Sequence, residues 1–147
     1  KSMRYQKDFD PNRRNRLGFA LSDITQHLPG AFLIYKADPE NDQILFANQE
    51  LVTYAGCKNL DEFMQYSKHS FRNLIRSDEQ EAVEKSIWQQ IQSQAAGTND
   101  FVQFHFVKKD GSTHPVLDHG RIVESNYYGN VFYVLIMDCQ LLDEHYD

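Results

Sequence analysis

The spacing of hydrophobic residues changes along this chain. Leu17, Leu21, Ile24 and Leu28 recur at helical spacing until Pro29-Gly30 stop the run, which predicts a one-sided amphipathic helix over 17–28. Two short β-rich runs follow, AFLIYKAD (31–38) and QILFANQ (43–49). The turn formers Pro39, Asn41 and Asp42 lie between them, so a hairpin is expected. The middle of the chain then breaks into small helical pieces. Asn48 is placed to cap NQELVTYAG, and Gly56 supplies the left-handed residue that ends it. Asn59 with Glu62 imitates a capping box before LDEFMQY, and a brief segment SFRNLI (70–75) comes next. Ser77 and Gln80 fit a second box, Asp78, Glu79 and Glu81 suit the positive helix end, and Val83, Ile87 and Ile91 form one stripe to about Gln94.

The final third reads as strands. FVQFHFVKK (101–109) and STHPVLDHGRIV (112–123) flank Asp110-Gly111, a dipeptide that accepts positive φ and so predicts a hairpin with a two-residue turn. SNYYGN turns the chain again into VFYVLIMD (131–138), whose nearly continuous apolar character places it mid-sheet with both faces needing cover. The central helices can cover one face. The 17–28 helix, a partner chain, or both, would cover the other. These elements predict an α+β domain over 17–140 with a five-stranded antiparallel sheet, preceded by a polar arm (1–16) and followed by helix-compatible LLDEHYD (141–147), the expected start of a linker to an output domain.

At 147 residues the chain fits one core. Its hydrophobic share of 41% argues for a folded chain, and no apolar run approaches the ~20 residues that cross a bilayer. A net charge of -6 gives no general attraction to nucleic acid or anionic membranes. Cys57 and Cys139 lack CxxC spacing, form no disulfide framework and suit a reducing cytoplasm. The opening KSM has no secretory segment and is expected to be cut from a longer protein. No GxSxG elbow or phosphate-binding loop occurs, and the acids around Asp78 are explained by a helix N-terminus, so the module itself is not expected to be an enzyme.

With a two-residue turn, Val107 faces His114 and His105 faces Val116, so His105 and His114 lie diagonally on one face with Asp118. Such a cluster could hold a divalent metal or serve a small cone-like α+β enzyme; the alternative is a polar outer surface, with Val102, Phe104, Phe106 and Leu117 turned to the core. Hairpin spacing is far less selective than paired histidines on a helix, so no metal is expected there.

The order of elements resembles a PAS domain, the sensor fold of bacterial signalling proteins. LPGAFLIYKAD is similar to its first strand, and ILFANQELVTYAGC to the second strand and first helix. RSDEQEAVEKSI occupies the place of the "HPDD" element, VKKDGS matches the "KDG" turn, and FYVLIMD matches the closing strand with its terminal aspartate. The likeness covers roughly 28–140 and is greatest to PAS modules that precede GGDEF domains, which make cyclic di-GMP. The family often ends in Asp-Ile-Thr; here Asp138-Cys139-Gln140 keeps the acid and drops the hydroxyl, and Pro115 stands where many members have Trp, so a bulge or an unpaired position is expected there.

The resemblance implies a cytoplasmic regulatory module with an output domain in the same chain, dimerising through Leu17, Leu21, Ile24 and Leu28, with Asp138 relaying a signal. It implies a small ligand or partner of unknown identity. A ligand-free dimerisation spacer in a sensor histidine kinase or another multidomain regulator is the alternative. Haem-binding relatives carry an axial histidine on the long helix; DEQEAVEKSIWQQIQSQ has none, His69 is the nearest, and haem is not expected. Covalent flavin photochemistry needs a cysteine that HSFRNLI lacks, whereas non-covalent flavin beside Trp88 stays open.

Overall fold

The computed structural model describes residues 18–145. The arm (1–16), Leu17 and the last two residues lie outside them. Strands β1 (Ala31–Lys36), β2 (Ile44–Ala47), β3 (Asn99–Val107), β4 (Thr113–Ser125) and β5 (Gly129–Asp138) form one sheet in the order β2-β1-β5-β4-β3, every pairing antiparallel. β5 is central, as its apolar run requires.

The helices are α1 (Leu21–His27), α2 (Gln49–Tyr54), α3 (Leu60–Ser67), α4 (Gln80–Ser93) and α5 (Cys139–His145), with 3-10 turns at Phe71–Leu74 and Ser77–Glu79. Alternation along the strands turns Leu33, Tyr35, Phe104, Phe106, Val116, Phe132 and Val134 to one face, where they meet Leu51, Phe63, Phe71, Val83 and Ile87 from the central helices. Phe63, Phe71, Phe106 and Phe132 are fully buried, each contributing roughly 1.5–3 kcal/mol through removal from water.

Local chemistry sets the element ends. Asn48 Oδ1 accepts from Leu51 N–H and caps α2, and Gly56 leaves it at φ +87°. Asn59 Oδ1 accepts from Glu62 N–H, while the Glu62 carboxylate accepts from Lys58 N–H, one residue before the position a capping box uses. The expected Ser77 cap of the long helix does not form. Ser77 lies inside a 3-10 turn, α4 starts at Gln80, and Gln80 Nε2 donates to the carbonyls of Arg72 and Ile75.

The β3–β4 hairpin corrects a second expectation. Val107 pairs with Thr113, leaving Lys108–Ser112 as a longer connection. Asp110 Oδ1 accepts from the Ser112 amide and hydroxyl, and Gly111 takes φ +88°. The register therefore moves by one residue: His105 pairs with Pro115 and Phe106 with His114. Because side chains alternate, His105 and His114 fall on opposite faces. The surface cluster of His105, His114 and Asp118 does not exist, Asp118 is buried, and among the described residues no group of three or more His, Cys, Asp or Glu is placed to hold a metal.

Pro115 needs no bulge. His105 directs its N–H to Glu79 Oε1 and its C=O to Arg76 N–H, away from β4. Pro115 is thus a non-hydrogen-bonded partner of β3, and its other side lies beyond the β4–β5 ladder, which begins at Val116 and Asp138.

α1 is shorter than expected and buries none of its residues. On the outer face Tyr133, Leu135 and Met137 of β5 remain 44%, 46% and 49% exposed. The central helices cover the inner face of β5, whereas α1 by itself does not bury the outer one: the groove beneath it is lined by Phe32, Ile34 and Phe46 of β1 and β2 and, from β5, by Tyr133.

Candidate functional site

Several polar contacts meet at the end of β5, where α5 begins. Asp138 Oδ1 accepts from Gln140 N–H (2.8 Å) and Leu141 N–H (3.2 Å) and so caps α5. Its Oδ2 accepts from Tyr54 Oη at 2.6 Å, and His114 Nδ1 stands 3.8 Å away. One carboxylate therefore joins α5 to the end of α2 and to β4. Burial works to raise the Asp138 carboxyl, but the Tyr54 hydroxyl, the two amides and His114 together hold it below the ordinary value. Burial and the bond to Asp138 push Tyr54 well above its own. Tyr54 packs edge-on against Phe106 at 5.2 Å, and Lys108 Nζ sits 4.3 Å over its ring.

His105, the other expected site histidine, belongs elsewhere. Its Nδ1 lies 3.0 Å from Glu79 Oε2, on the edge of the sheet. Burial raises the Glu79 carboxyl, yet His105 and Arg76 hold it low overall. This is a structural tie between the 3-10 turn and the edge strand.

Inside, a cleft of about 180 Å³ opens between α4 and β1, lined by Tyr35, Phe71, Ile87 and Trp88 with Asp42 and Glu84 at its polar side. Tyr35 and Phe71 stack at 4.2 Å, and Trp88 meets Phe132 edge-on at 5.5 Å. The volume is below the ~300 Å³ at which small-molecule sites usually begin. His69 is exposed at φ +58°, Cys57 is buried, and Cys139 is half-buried at the start of α5.

Behind this wall, Asp100 and Asp118 are each only 1% exposed, and neither Oδ2 has a hydrogen-bond partner. On the outer face a groove of about 820 Å³ runs between α1 and the sheet, lined by Leu21, Leu28, Phe32, Ile34, Phe46 and Tyr133. Ile24 projects beside it and is 41% exposed.

No family model matches the chain, and no curated protein matches it in sequence. Solved structures do match in shape. The PAS domain of an HTR-like protein from Haloarcula marismortui is 17% identical, with a TM-score of 0.56 over 80% of this chain and 88% of that one. A PAS domain of a protein from Colwellia psychrerythraea is 10% identical, with a TM-score of 0.60 over 81% and 95%. The chain has the PAS fold. The Rhodobacter sphaeroides LOV protein shares it at 14% identity, with a TM-score of 0.60 over 80% of this chain and 64% of that one.

Within the PAS fold, the site residues that sequence reasoning missed are Tyr54, Asp100 and Gly120. Tyr54 reads as one more aromatic of a short helix, and nothing in its neighbourhood announces a partner 84 positions away. Gly120 carried a signal: a glycine inside a strand run marks close approach. A Cβ at that position would come within 2.6 Å of Asp100 Oδ2.

Proposed function

We propose that this chain is a sensory or regulatory module of a bacterial signal-transduction protein, passing a conformational bias through Asp138 and α5 to a C-terminal output domain. The observation that carries this reading is the double attachment of Asp138, capping α5 on one oxygen and receiving Tyr54 on the other. Any shift of α2 against the sheet changes the Tyr54 contact and with it the cap of the exit helix. A ligand or partner acts by binding one arrangement better than the other, since only differential affinity moves a population. The output we favour is a GGDEF diguanylate cyclase, from the sequence likeness described above. One similar structure is a PAS domain from a two-component sensor histidine kinase, 12% identical with a TM-score of 0.59, and a kinase output is the alternative.

Asp138→Ala in the protein with its output domain should leave basal output measurable and abolish its regulation. In the 147-residue chain itself, amide exchange at Gln140 and Leu141 should accelerate roughly 5-fold or more, since a lost cap costs about 1 kcal/mol. Unchanged regulation with an unprotected cap would sink the relay.

A second reading, a ligand-free dimerisation spacer, is favoured by the small inner cleft and by the exposed Tyr133, Leu135 and Met137. Native mass spectrometry of the purified chain separates the two: a retained small molecule supports a sensor, a bare dimer the spacer.

A further inference from the structure

Asp100 and Asp118 carry a property that the relay does not use. Asp118 pairs across the hairpin with Val102, and Asp100 with Gly120, so the two carboxylates are diagonal neighbours on the inner face. The absence of a side chain at Gly120 makes room for the Asp100 carboxylate directly above the β4 backbone. Both residues are buried, and each leaves Oδ2 without a partner.

Among the described residues, no cation stands beside either carboxylate. On that face β3 contributes Phe104 and Val102, β4 Val116 and Ile122, β5 Val134 and Ile136, and α4 Val83 and Ile87. The ionisable group from β1 is Tyr35, itself raised well above its ordinary value by burial and then by Asp118, Asp100, Asp42 and Glu84. Lys36 and Lys85 line the cleft between α4 and β1 together with Tyr35, and His119 and Arg121 alternate to the opposite face. Two adjacent carboxylates in such a medium cannot both ionise without a large desolvation and repulsion cost.

We propose that Asp100 and Asp118 form a buried proton-binding site, holding at least one proton, taken from water, between them in the folded chain at neutral pH. Calcium or magnesium would want six or more oxygen ligands and zinc four ligands, and two carboxylates alone offer too few. A proton needs only one oxygen and no extra room.

The direction of the pH dependence follows from the geometry. Burial raises the Asp100 carboxyl to about 6, and burial with the Asp100 charge raises Asp118 well above the ordinary value. An unfolded carboxyl ionises near pH ~4. Below that, both states are protonated and the pair contributes no slope. Above it, the folded chain retains protons that the unfolded chain has lost, so the pair makes stability fall as pH rises. A consequence for output, through Ile136 opposite Asp118 and then Asp138, rests on the sensory reading above; the protonation itself does not.

The experiment is urea unfolding of the full chain between pH 5 and 8, with Asp118→Asn and Asp100→Asn beside it, together with infrared spectroscopy of the native chain at pH 7. The unfolding constant should rise up to about tenfold per pH unit for each retained proton. Either Asn variant should flatten that slope, and a protonated-carboxyl carbonyl band should be present in the native chain and weaken in the variants. Should either variant fail to fold, the native band decides alone. Absence of the band, or equal slopes in all folded chains, would overturn the proposal. So would an unfolding midpoint that rises with potassium or ammonium while no band is seen, because the pair would then hold a cation as two carboxylates.

Discussion

Asn48 is the residue on which the first hairpin and the first inner helix depend together. Its Oδ1 accepts from Leu51 N–H and from Phe32 N–H, both at 3.0 Å, and its Nδ2 donates to Gly30 O at 2.9 Å. The side chain is 2% exposed, so water cannot replace these bonds. Asn48→Ala strips the cap from α2 and leaves Phe32 N–H and Gly30 C=O without their partner. A loss of about 2–4 kcal/mol in urea unfolding is expected, more than a surface cap alone provides. Asn48→Asp separates the roles: it keeps both accepted bonds and loses the donated one, so it should fall between wild type and alanine. Equal stability of all three chains would mean that the helix and strand ends are held by packing alone.

At the scale of elements, the edge of the sheet is closed by a carboxylate. β3 is an edge strand, and its outward N–H and C=O groups invite pairing with another chain. Glu79 Oε1 takes the His105 N–H at 2.7 Å, and Arg76 N–H donates to His105 O at 2.9 Å, so the 3-10 turns act as a short extra ribbon along β3. Glu79→Ala should speed amide exchange at His105 and Arg76 while leaving amides of the β4–β5 ladder unchanged, as NMR exchange rates would report. Acceleration spread through the whole sheet would instead make Glu79 a global contributor. This tie also explains which elements were legible from the sequence. Helices with strong local signals, such as Asn48 before α2 and Asn59 before α3, sit where those signals place them. The Ser77 cap failed because Glu79 and Gln80, the residues expected to serve the helix end, are engaged by β3 and by the carbonyls of Arg72 and Ile75. The β3–β4 turn failed because Asp110 has a better use than a two-residue turn allows: its carboxylate closes a local loop with Ser112. That single residue of slip moved Asp118 from the surface to the interior and divided the two histidines. The contact between Tyr54 and Asp138 was not legible at all, since it depends on long-range packing that no local pattern encodes.

For the whole molecule, the unresolved balance lies on the outer face. Tyr133, Leu135 and Met137 project from the central strand, and Leu21, Ile24 and Leu28 of the α1 region are 40–45% exposed, forming with them a broad apolar surface. Contiguous patches of this kind on soluble chains generally mark contact sites. The exposed residues come from both the helix and the sheet, so a second copy packing there would cover α1 and β5 together and complete the burial that the apolar pattern of β5 demands. Each copy carries a net charge of -6, which opposes association weakly at physiological salt, so a pairing of two copies would have to be apolar in origin. Leu135→Glu tests this without touching the inner core, because Leu135 is 46% exposed and its neighbours Val134 and Ile136 face the other way. In sedimentation, the wild-type chain should run as a dimer and the variant as a monomer, with the dissociation constant raised at least 100-fold, as a charge at the centre of an apolar contact implies. The thermal midpoint of the variant should lose its dependence on protein concentration. A wild-type chain that is monomeric at every concentration would instead assign this face to another segment or partner, and the dimer would have to be abandoned while the fold and the Asp138 contacts stand.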